Sequence, residues 1–182
     1  IDPVFLLDQS DWKELIGPAI IEEDYIFVFR VNVPVSLFVF AEQLSNKLNM
    51  KLVYSDGRKI YFNKKVHYIP GISPDIFLNL LSNASCVVTN SFHGVAFSAI
   101  FHKKIYVELN STAGRNTRAE LLMKKLRVPY TEILGDSDVI EHDMVGWESI
   151  ECNIEKERHK ALAYLAEIIG ESSAGSGAAV GL

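Results

Sequence analysis

The chain has 182 residues, of which 48% are hydrophobic, so it is long and apolar enough for one domain with a buried core and too apolar for a disordered protein. A formal net charge of -5 without a strongly basic run argues against a general nucleic-acid binder, and we expect no nucleic acid among its partners. The two cysteines have neither metal-site spacing nor a disulfide framework, which fits a reducing compartment.

The first 24 residues form the first predicted unit, a linker segment. Pro3–Leu7 is expected to be extended, and Ser10 marks the start of a predicted short helix with a capping side chain. The chain begins with isoleucine rather than methionine, and we expect it to be a piece of a longer or processed protein.

Residues 25–170 carry alternating strand and helix patterns and form the predicted domain. The predicted strands are 25–29, 51–54, 66–69, 86–88 and 105–109, and the predicted helices are 37–48, 74–83, 95–101, 117–126 and 154–169. Strands and helices that alternate at this spacing predict right-handed βαβ crossovers and a three-layer α/β fold with a parallel sheet.

Composition sets two stretches of the chain apart. Tyr25–Ala41 is the most apolar stretch, but Arg30, Asn32 and Pro34 interrupt it. It is therefore too broken to be a membrane helix, which needs about 20 predominantly apolar residues. Glu171–Leu182 is nearly all Ser, Ala and Gly, which predicts a flexible tail.

The stretch from Thr89 to Gly94 is the strongest candidate for a functional site. It joins an apolar strand to a helix, and ligands of open parallel sheets bind at such strand ends, near free N–H groups and the positive end of the helix dipole. His93 is the only proton-transfer group in this stretch, and histidine as a residue type changes its charge near neutral pH.

Asn90 and Ser91 offer short polar side chains, and Gly94 allows close approach of a backbone or a ligand. The alternative is that Asn90 and Ser91 only cap the helix and that a backbone carbonyl binds His93.

Two arginines and a glycine are further candidates for an anion site. Arg115 and Arg118 stand at the start of a predicted helix, where a cation opposes the helix dipole unless an anion lies nearby. Guanidinium groups bind phosphate and carboxylate through paired hydrogen bonds, so an anion clamp is one interpretation; a solvated loop with Glu120 as the ion-pair partner is the other. Gly71 follows a predicted strand at the same edge as His93 and is either a pocket residue or part of a β-turn. The sequence contains no metal or dinucleotide motif, and we expect neither a metal nor a cofactor.

Two longer runs of residues carry a resemblance to a known family. They are Pro70–Phe77 and Asn83–Ser98, and the second contains Ser-Phe-His-Gly at residues 91–94. Together they are similar to the carboxyl-terminal half of the polysaccharide pyruvyl transferase family. Asp2–Trp12 and Arg115–Leu122 extend the resemblance, which covers most of residues 1–169.

The resemblance implies two facing Rossmann-like domains, as in GT-B-like glycosyltransferases, with this chain as the second domain and its linker. It implies transfer of a pyruvyl group from phosphoenolpyruvate to a sugar of a surface polysaccharide or exopolysaccharide, as a ketal. The implied partners are phosphoenolpyruvate as donor substrate, a saccharide or lipid-linked oligosaccharide as acceptor, and an amino-terminal domain that is missing from this chain and that the activity is expected to need. The implied location is the cytoplasm, including the inner face of the membrane.

The same resemblance assigns roles to individual residues. His93 would be the general acid that protonates the donor. The helix N-terminus at Gly94 and Val95, together with Arg118 or Arg115, would hold the donor phosphate or carboxylate. The remaining expected substrate-binding residues are Asn90, Ser91 and Gly71.

Two other functions fit the same residues. A sugar-nucleotide-dependent glycosyltransferase of the same architecture would place a diphosphate at the helix N-terminus. A non-catalytic domain would bind an anion or a glycan without turnover. Donor binding distinguishes the first from a pyruvyl transferase, and the activity of a His93 variant distinguishes the second.

Overall fold

The computed structural model describes residues 1–31, 35–55, 66–109, 117–133 and 146–175. It contains a 3-10 helix (Pro3–Phe5), α1 (Gln9–Glu14), β1 (Tyr25–Phe29), α2 (Val35–Leu48), β2 (Lys51–Ser55), β3 (Val66–Tyr68), α3 (Pro74–Asn83), β4 (Cys86–Thr89), α4 (Phe92–Ile100), β5 (Lys104–Val107), α5 (Thr117–Leu126), β6 (Thr131–Glu132) and α6 (Trp147–Gly175). The predicted alternation of strands and helices is confirmed. The sequence patterns missed β6, and α6 begins at Trp147 rather than at Ile154.

The six strands form one parallel sheet in the order β3-β2-β1-β4-β5-β6. This is the strand order of a Rossmann fold, so the predicted three-layer, Rossmann-like α/β fold is confirmed. The order reverses between β1 and β4, whose chains leave the sheet in opposite lateral directions. The crevice that opens at this reversal, outside the carboxyl ends of the strands, is where such sheets bind ligands.

Helices cover both faces of the sheet, which explains why the central strands are apolar on both sides. In β1, Ile26 and Val28 belong to the core cluster formed with α2, whereas Tyr25 and Phe27 belong to the cluster formed with the helices of the other face. These side chains are almost fully buried, and each contributes roughly 1.5–3 kcal/mol of transfer free energy. The sheet is therefore held in place by two apolar cores, and the strand ends at its carboxyl edge are fixed.

The amino-terminal segment differs from its prediction. Pro3–Leu7 is not extended, because Pro3 begins the 3-10 helix and the Asp2 carboxylate caps it by accepting from Val4 N at 3.3 Å. The helix expected from Ser10 begins at Gln9, and its cap is Asp8 rather than Ser10.

A buried arginine attaches this segment to the domain. Arg158 of α6 donates from Nε to Phe5 O at 2.8 Å and from Nη2 to Leu7 O at 2.9 Å, and it also pairs with Glu155. The Phe5 side chain is fully buried in the core. The segment thus packs on the domain, while the division of the chain into residues 1–24, 25–170 and 171–182 stays a prediction.

The last helix extends beyond the packed part of the domain. Ile150 and Ile154 are buried in the core, whereas most residues from His159 to Gly170 are exposed. α6 includes residues 171–175 of the predicted tail, and residues 176–182 lie outside the described residues. Within the described ranges, no helix combines the length and the apolar composition that a membrane crossing needs.

A close approach between β4 and α4 sets where the strand-to-helix turn lies. A Cβ added to Gly94 would overlap Thr89 Oγ1 and lie 3.0 Å from Thr89 Cβ. The Thr89 side chain cannot move away easily, because Oγ1 donates to Phe29 O at 2.5 Å and accepts from Ser91 N at 3.0 Å. Only glycine at position 94 lets α4 begin directly above the end of β4.

We therefore predict that Gly94→Ala lowers the free energy of unfolding by about 1–3 kcal/mol, since the added methyl group overpacks against Thr89. Gly170→Ala is the matched control, because Gly170 lies in α6 and an added Cβ meets no atom within 4 Å. Alanine is favoured over glycine in a helix by about 1 kcal/mol, so the control is expected to be neutral or more stable. Urea unfolding measures both, and a Gly94→Ala protein as stable as Gly170→Ala would contradict the close approach.

We also predict that Arg158→Met lowers the free energy of unfolding by about 2–4 kcal/mol, because it leaves one buried and one part-buried carbonyl group without their charged donor. The control is Lys160→Met on the same helix, which removes an exposed cation paired with Glu157 and should change stability by less than about 0.5 kcal/mol. Equal unfolding midpoints for the two variants would show that Arg158 does not hold the segment.

Candidate functional site

Ser91 forms the cap of α4 and uses two of the amides that were expected to hold an anion. Its Oγ accepts from Gly94 N at 3.5 Å, and its carbonyl accepts from Val95 N at 3.0 Å. The backbone N–H groups of Phe92 and His93 donate to no described residue. The N–H groups available to a ligand in this turn are therefore those of Phe92 and His93, and the assignment to Gly94 and Val95 is corrected.

Asn90 ties the ends of the two central strands together. Its Oδ1 accepts from Val31 N at 2.8 Å, and its Nδ2 donates to Val31 O at 3.1 Å. Val31 follows β1 and Asn90 follows β4, so this pair of bonds spans the place where the strand order reverses. Asn90 shapes the crevice through the backbone of Val31, and its expected contact with substrate stays a prediction.

His93 occupies the second position of α4 with its side chain exposed. Its ring meets the Phe92 ring edge to face, with 5.4 Å between the centroids. Within the described part of the chain the imidazole makes no hydrogen bond, so the alternative in which a backbone carbonyl binds it finds no support there. The side chain is open to a ligand at the carboxyl edge of the sheet.

Arg118 contacts the same Phe92 ring as this histidine. It stands in the first turn of α5, its Cζ is 4.2 Å from the centroid of Phe92, and its Nη2 donates to Asp2 Oδ2 at 3.2 Å. Glu120, the alternative partner, pairs with Lys124 at 2.6 Å, so the partner of Arg118 is Asp2 rather than Glu120. The Arg118 side chain is 67% exposed and presents its guanidinium near the free end of α4.

The structure places the other two predicted anion-site residues less favourably. Arg115 lies outside the described residues. Gly71 follows β3 with a φ of 57°, and an added Cβ there would meet nothing within 4 Å, so its glycine is explained by the left-handed turn. At the level of the sheet, three strand spacings, roughly 14 Å, separate β3 from β4. Gly71 therefore shares the edge with His93 without being its neighbour.

The first turn of α3 lies between these two positions. Phe77 of α3 contacts Phe29 at the end of β1, with 4.6 Å between ring centroids. Ser73 stands at the cap position, but its hydroxyl bonds to the Asp75 carboxyl group, which lowers the pKa of Asp75. α3 therefore contributes an apolar wall and one exposed acid to this edge.

Two buried charged residues at the same edge were missed by the sequence analysis. Arg30 follows β1 and donates to the Tyr54 hydroxyl at 3.0 Å, with its guanidinium 4.3 Å from the centroid of the Phe38 ring. Glu108 follows β5 and accepts from the Ser36 hydroxyl in the first turn of α2. Arg30 directly follows the predicted strand 25–29, so a search for polar residues at every predicted strand end would have found it. Glu108 lies within the predicted strand 105–109, and only the earlier end of β5 at Val107 in the structure shows it as a strand-end residue.

Together these residues give the edge a defined chemistry. The free N–H groups at the start of α4 and the exposed guanidinium of Arg118 favour an anion, and His93 beside them can exchange a proton. Among the described residues, no group of three or more His, Cys, Asp and Glu side chains is arranged to hold a metal ion. The arrangement suits an anionic substrate that must be protonated.

The chain is similar to two solved structures of a UDP-GlcNAc 2-epimerase from Methanocaldococcus jannaschii. One shows 14% identity and a TM-score of 0.47 over 80% of this chain and 42% of that chain. The other, in complex with UDP-GlcNAc and UDP, shows 13% identity and a TM-score of 0.45 over 85% of this chain and 41% of that chain. The chain spans less than half the length of either structure's protein, and similarity at this level supports no conclusion about function. No curated protein matches the chain.

Comparison with models of protein families gives one informative match. The model described as polysaccharide pyruvyl transferase matches residues 1–110, which include the 3-10 helix, the central strands and the whole β4–α4 turn. Arg115 and Arg118 lie beyond the matched residues. Because the match covers more than half of the 182 residues, the chain belongs to the polysaccharide pyruvyl transferase family.

Proposed function

We propose that this chain is the donor-binding domain of a pyruvyl transferase that uses phosphoenolpyruvate as its donor. The observation that carries the proposal is the exposed His93 at the free N-terminus of α4, one aromatic ring from the exposed guanidinium of Arg118. Phosphoenolpyruvate carries a phosphate, a carboxylate and an enol carbon that must accept a proton. Its requirements therefore match the groups at this edge: anion donors beside a proton donor.

The proposed reaction adds two sugar hydroxyls to one carbon of the donor. The imidazolium of His93 gives its proton to the methylene carbon, and a sugar hydroxyl bonds to the adjacent carbon to form a tetrahedral phosphate ester. Phosphate then leaves with the electron pair of the carbon–oxygen bond, and the second hydroxyl attacks to close the ketal. One hydroxyl proton restores the imidazolium and the other leaves with phosphate, so the products are a pyruvate ketal and inorganic phosphate.

In this mechanism the chain's own groups orient the donor. The N–H groups of Phe92 and His93 and the positive end of the α4 dipole bind the phosphate, and Arg118 binds a second oxygen of the phosphate or the carboxylate. Asn90 holds the neighbouring strand end so that the crevice keeps its shape. These contacts keep the methylene carbon within reach of His93 for proton transfer.

The acceptor and the remaining partners extend the proposal beyond this chain. We expect a second, amino-terminal domain to face the carboxyl edge and to bind a saccharide or lipid-linked oligosaccharide of a surface polysaccharide or exopolysaccharide. The reaction would take place in the cytoplasm, in solution or at the inner face of the membrane. This division of labour follows the family resemblance, in which acceptor and donor bind to facing domains.

Calorimetric titration of the chain tests the donor class. We expect saturable binding of phosphoenolpyruvate, weakened at least fivefold by Arg118→Gln because a charged hydrogen bond to an anion is lost. Lys124→Gln is the matched control on the exposed side of α5, and its affinity should equal that of the unaltered chain. Saturable binding of a nucleotide sugar, and none of phosphoenolpyruvate, would favour a glycosyltransferase and contradict the proposal.

The role of His93 is tested by turnover in the protein that also carries the amino-terminal domain. We predict that His93→Gln lowers kcat by about 10²-fold or more, because a general acid contributes a factor of this order, while donor affinity changes little. His159→Gln, which alters an exposed histidine of α6, is the control and should leave kcat unchanged. Unchanged phosphate release by His93→Gln would remove His93 from the mechanism, and donor binding without turnover by the unaltered protein would identify a non-catalytic domain.

A further inference from the structure

The guanidinium of Arg118 is fixed by contacts from two other parts of the chain. Its Cζ lies over the Phe92 ring, and Nη2 donates to the Asp2 carboxylate, which is 116 residues away in sequence. The side chain of Asp2 is only 13% exposed, whereas that of Arg118 is 67% exposed. The carboxylate therefore lies on the protein side of the guanidinium, and the guanidinium faces solvent.

This geometry leaves most of the guanidinium available. Arginine has five N–H donors, and within the described residues only Nη2 of Arg118 is engaged, with Asp2. An exposed arginine without such contacts samples many rotamers, and ordering it on binding opposes affinity. An arginine already held by a carboxylate and an aromatic face has lost part of that freedom before the ligand arrives.

Asp2 is itself held in place. Its Oδ1 accepts from Val4 N at 3.3 Å and its carbonyl accepts from Phe5 N at 3.1 Å, which makes it the cap of the 3-10 helix. The next turns of the segment are attached to α6 through the bonds from Arg158 to Phe5 O and Leu7 O. The carboxylate that orients Arg118 thus stands on a segment that the domain core fixes.

We propose that Asp2 is a positioning residue for the anion site: it holds Arg118 flat on Phe92, with its free N–H groups directed toward the ligand beside His93. The inference rests on the proposed function in that the ligand is taken to be the donor of that site. It adds a residue of the amino-terminal segment that acts through Arg118 and does not touch substrate. Donor affinity is then set partly by the segment that precedes the sheet.

The negative charge of Asp2 also acts against anion binding. The direction in which ligand affinity changes when this charge is removed therefore tests the inference. A carboxylate near an anion site repels the ligand, so removing its charge would tighten binding if repulsion were its main effect. If orientation dominates, removing the charge weakens binding, but only while Arg118 is present. The direction of the affinity change with Arg118 present and with Arg118 replaced therefore distinguishes repulsion of the ligand from orientation of Arg118.

The experiment is a double-mutant cycle with Asp2→Asn and Arg118→Gln, measured by calorimetry with inorganic phosphate and with phosphoenolpyruvate. Asparagine keeps an oxygen that can cap Val4 N, so the 3-10 helix is retained. We expect Asp2→Asn to weaken binding of both ligands three- to tenfold in the unaltered background. In the Arg118→Gln background we expect the same change to leave binding equal or slightly tighter.

A second readout reports the position of Arg118 without a ligand. The Nε–H resonance of Arg118 should be displaced by the ring current of Phe92, and it should move toward the position of exposed arginines in Asp2→Asn and in Phe92→Leu. Asp11→Asn is the matched control, since Asp11 is an exposed acid of the same segment with no contact to Arg118. It should alter neither the resonance nor the affinity.

Each outcome decides between defined alternatives. Tighter phosphate binding by Asp2→Asn, or equal losses in both backgrounds, would overturn the positioning role, as would an unmoved Arg118 resonance. Absence of phosphate binding by the unaltered chain would overturn it too. If phosphate binds with the expected affinities in all four proteins of the cycle but phosphoenolpyruvate binds no better than phosphate, the assignment of the donor is wrong and the role of Asp2 is retained.

Discussion

The contact between Thr89 and Gly94 is the constraint on which the site depends. Thr89 is fully buried and bonded on both sides, to Phe29 O and to Ser91 N, so the end of β4 is rigid. The missing Cβ at position 94 then lets α4 begin at once, which leaves the second residue of the helix exposed at the edge of the sheet. An imidazole beside free helix N–H groups is the result of this packing.

The remaining groups of the site come from distant parts of the sequence and are assembled by the sheet order. Because β1, β4 and β5 are neighbours, their following residues Arg30, Asn90 and Glu108 stand side by side at the reversal point. Arg118 arrives from the next helix and Asp2 from the segment before the sheet. The fold thus gathers charges of both signs around a single turn, with the cations stacked on aromatic rings and the acids bonded to neighbouring groups.

Local patterns were enough to predict most of the strands and helices and the turn at residues 89–94, because strand and helix periodicity and the strand-end rule depend on neighbouring residues. Contacts between distant residues could not be obtained in this way: the pairing of Asp2 with Arg118 spans 116 positions. The sequence indicated that Ser91 can cap α4 but not which amides it binds, so the amides of Gly94 and Val95 were assigned to a ligand although Ser91 already uses them. The 3-10 helix at Pro3 was missed although its signal is local, since Asp2 is the cap residue and Pro3 is the first helical residue.

The proposed function depends on binding of the donor phosphate at the N-terminus of α4, beside His93. Mapping of backbone amide shifts by NMR during a titration with phosphoenolpyruvate tests it most directly. We expect the largest shifts at the amides of Phe92 and His93, whose N–H groups bond to no described residue, and smaller ones at Gly94 and Val95. Shifts confined to the opposite edge of the sheet, around Gln9 and His102, or shifts as large at Gly94 as at His93, would contradict it.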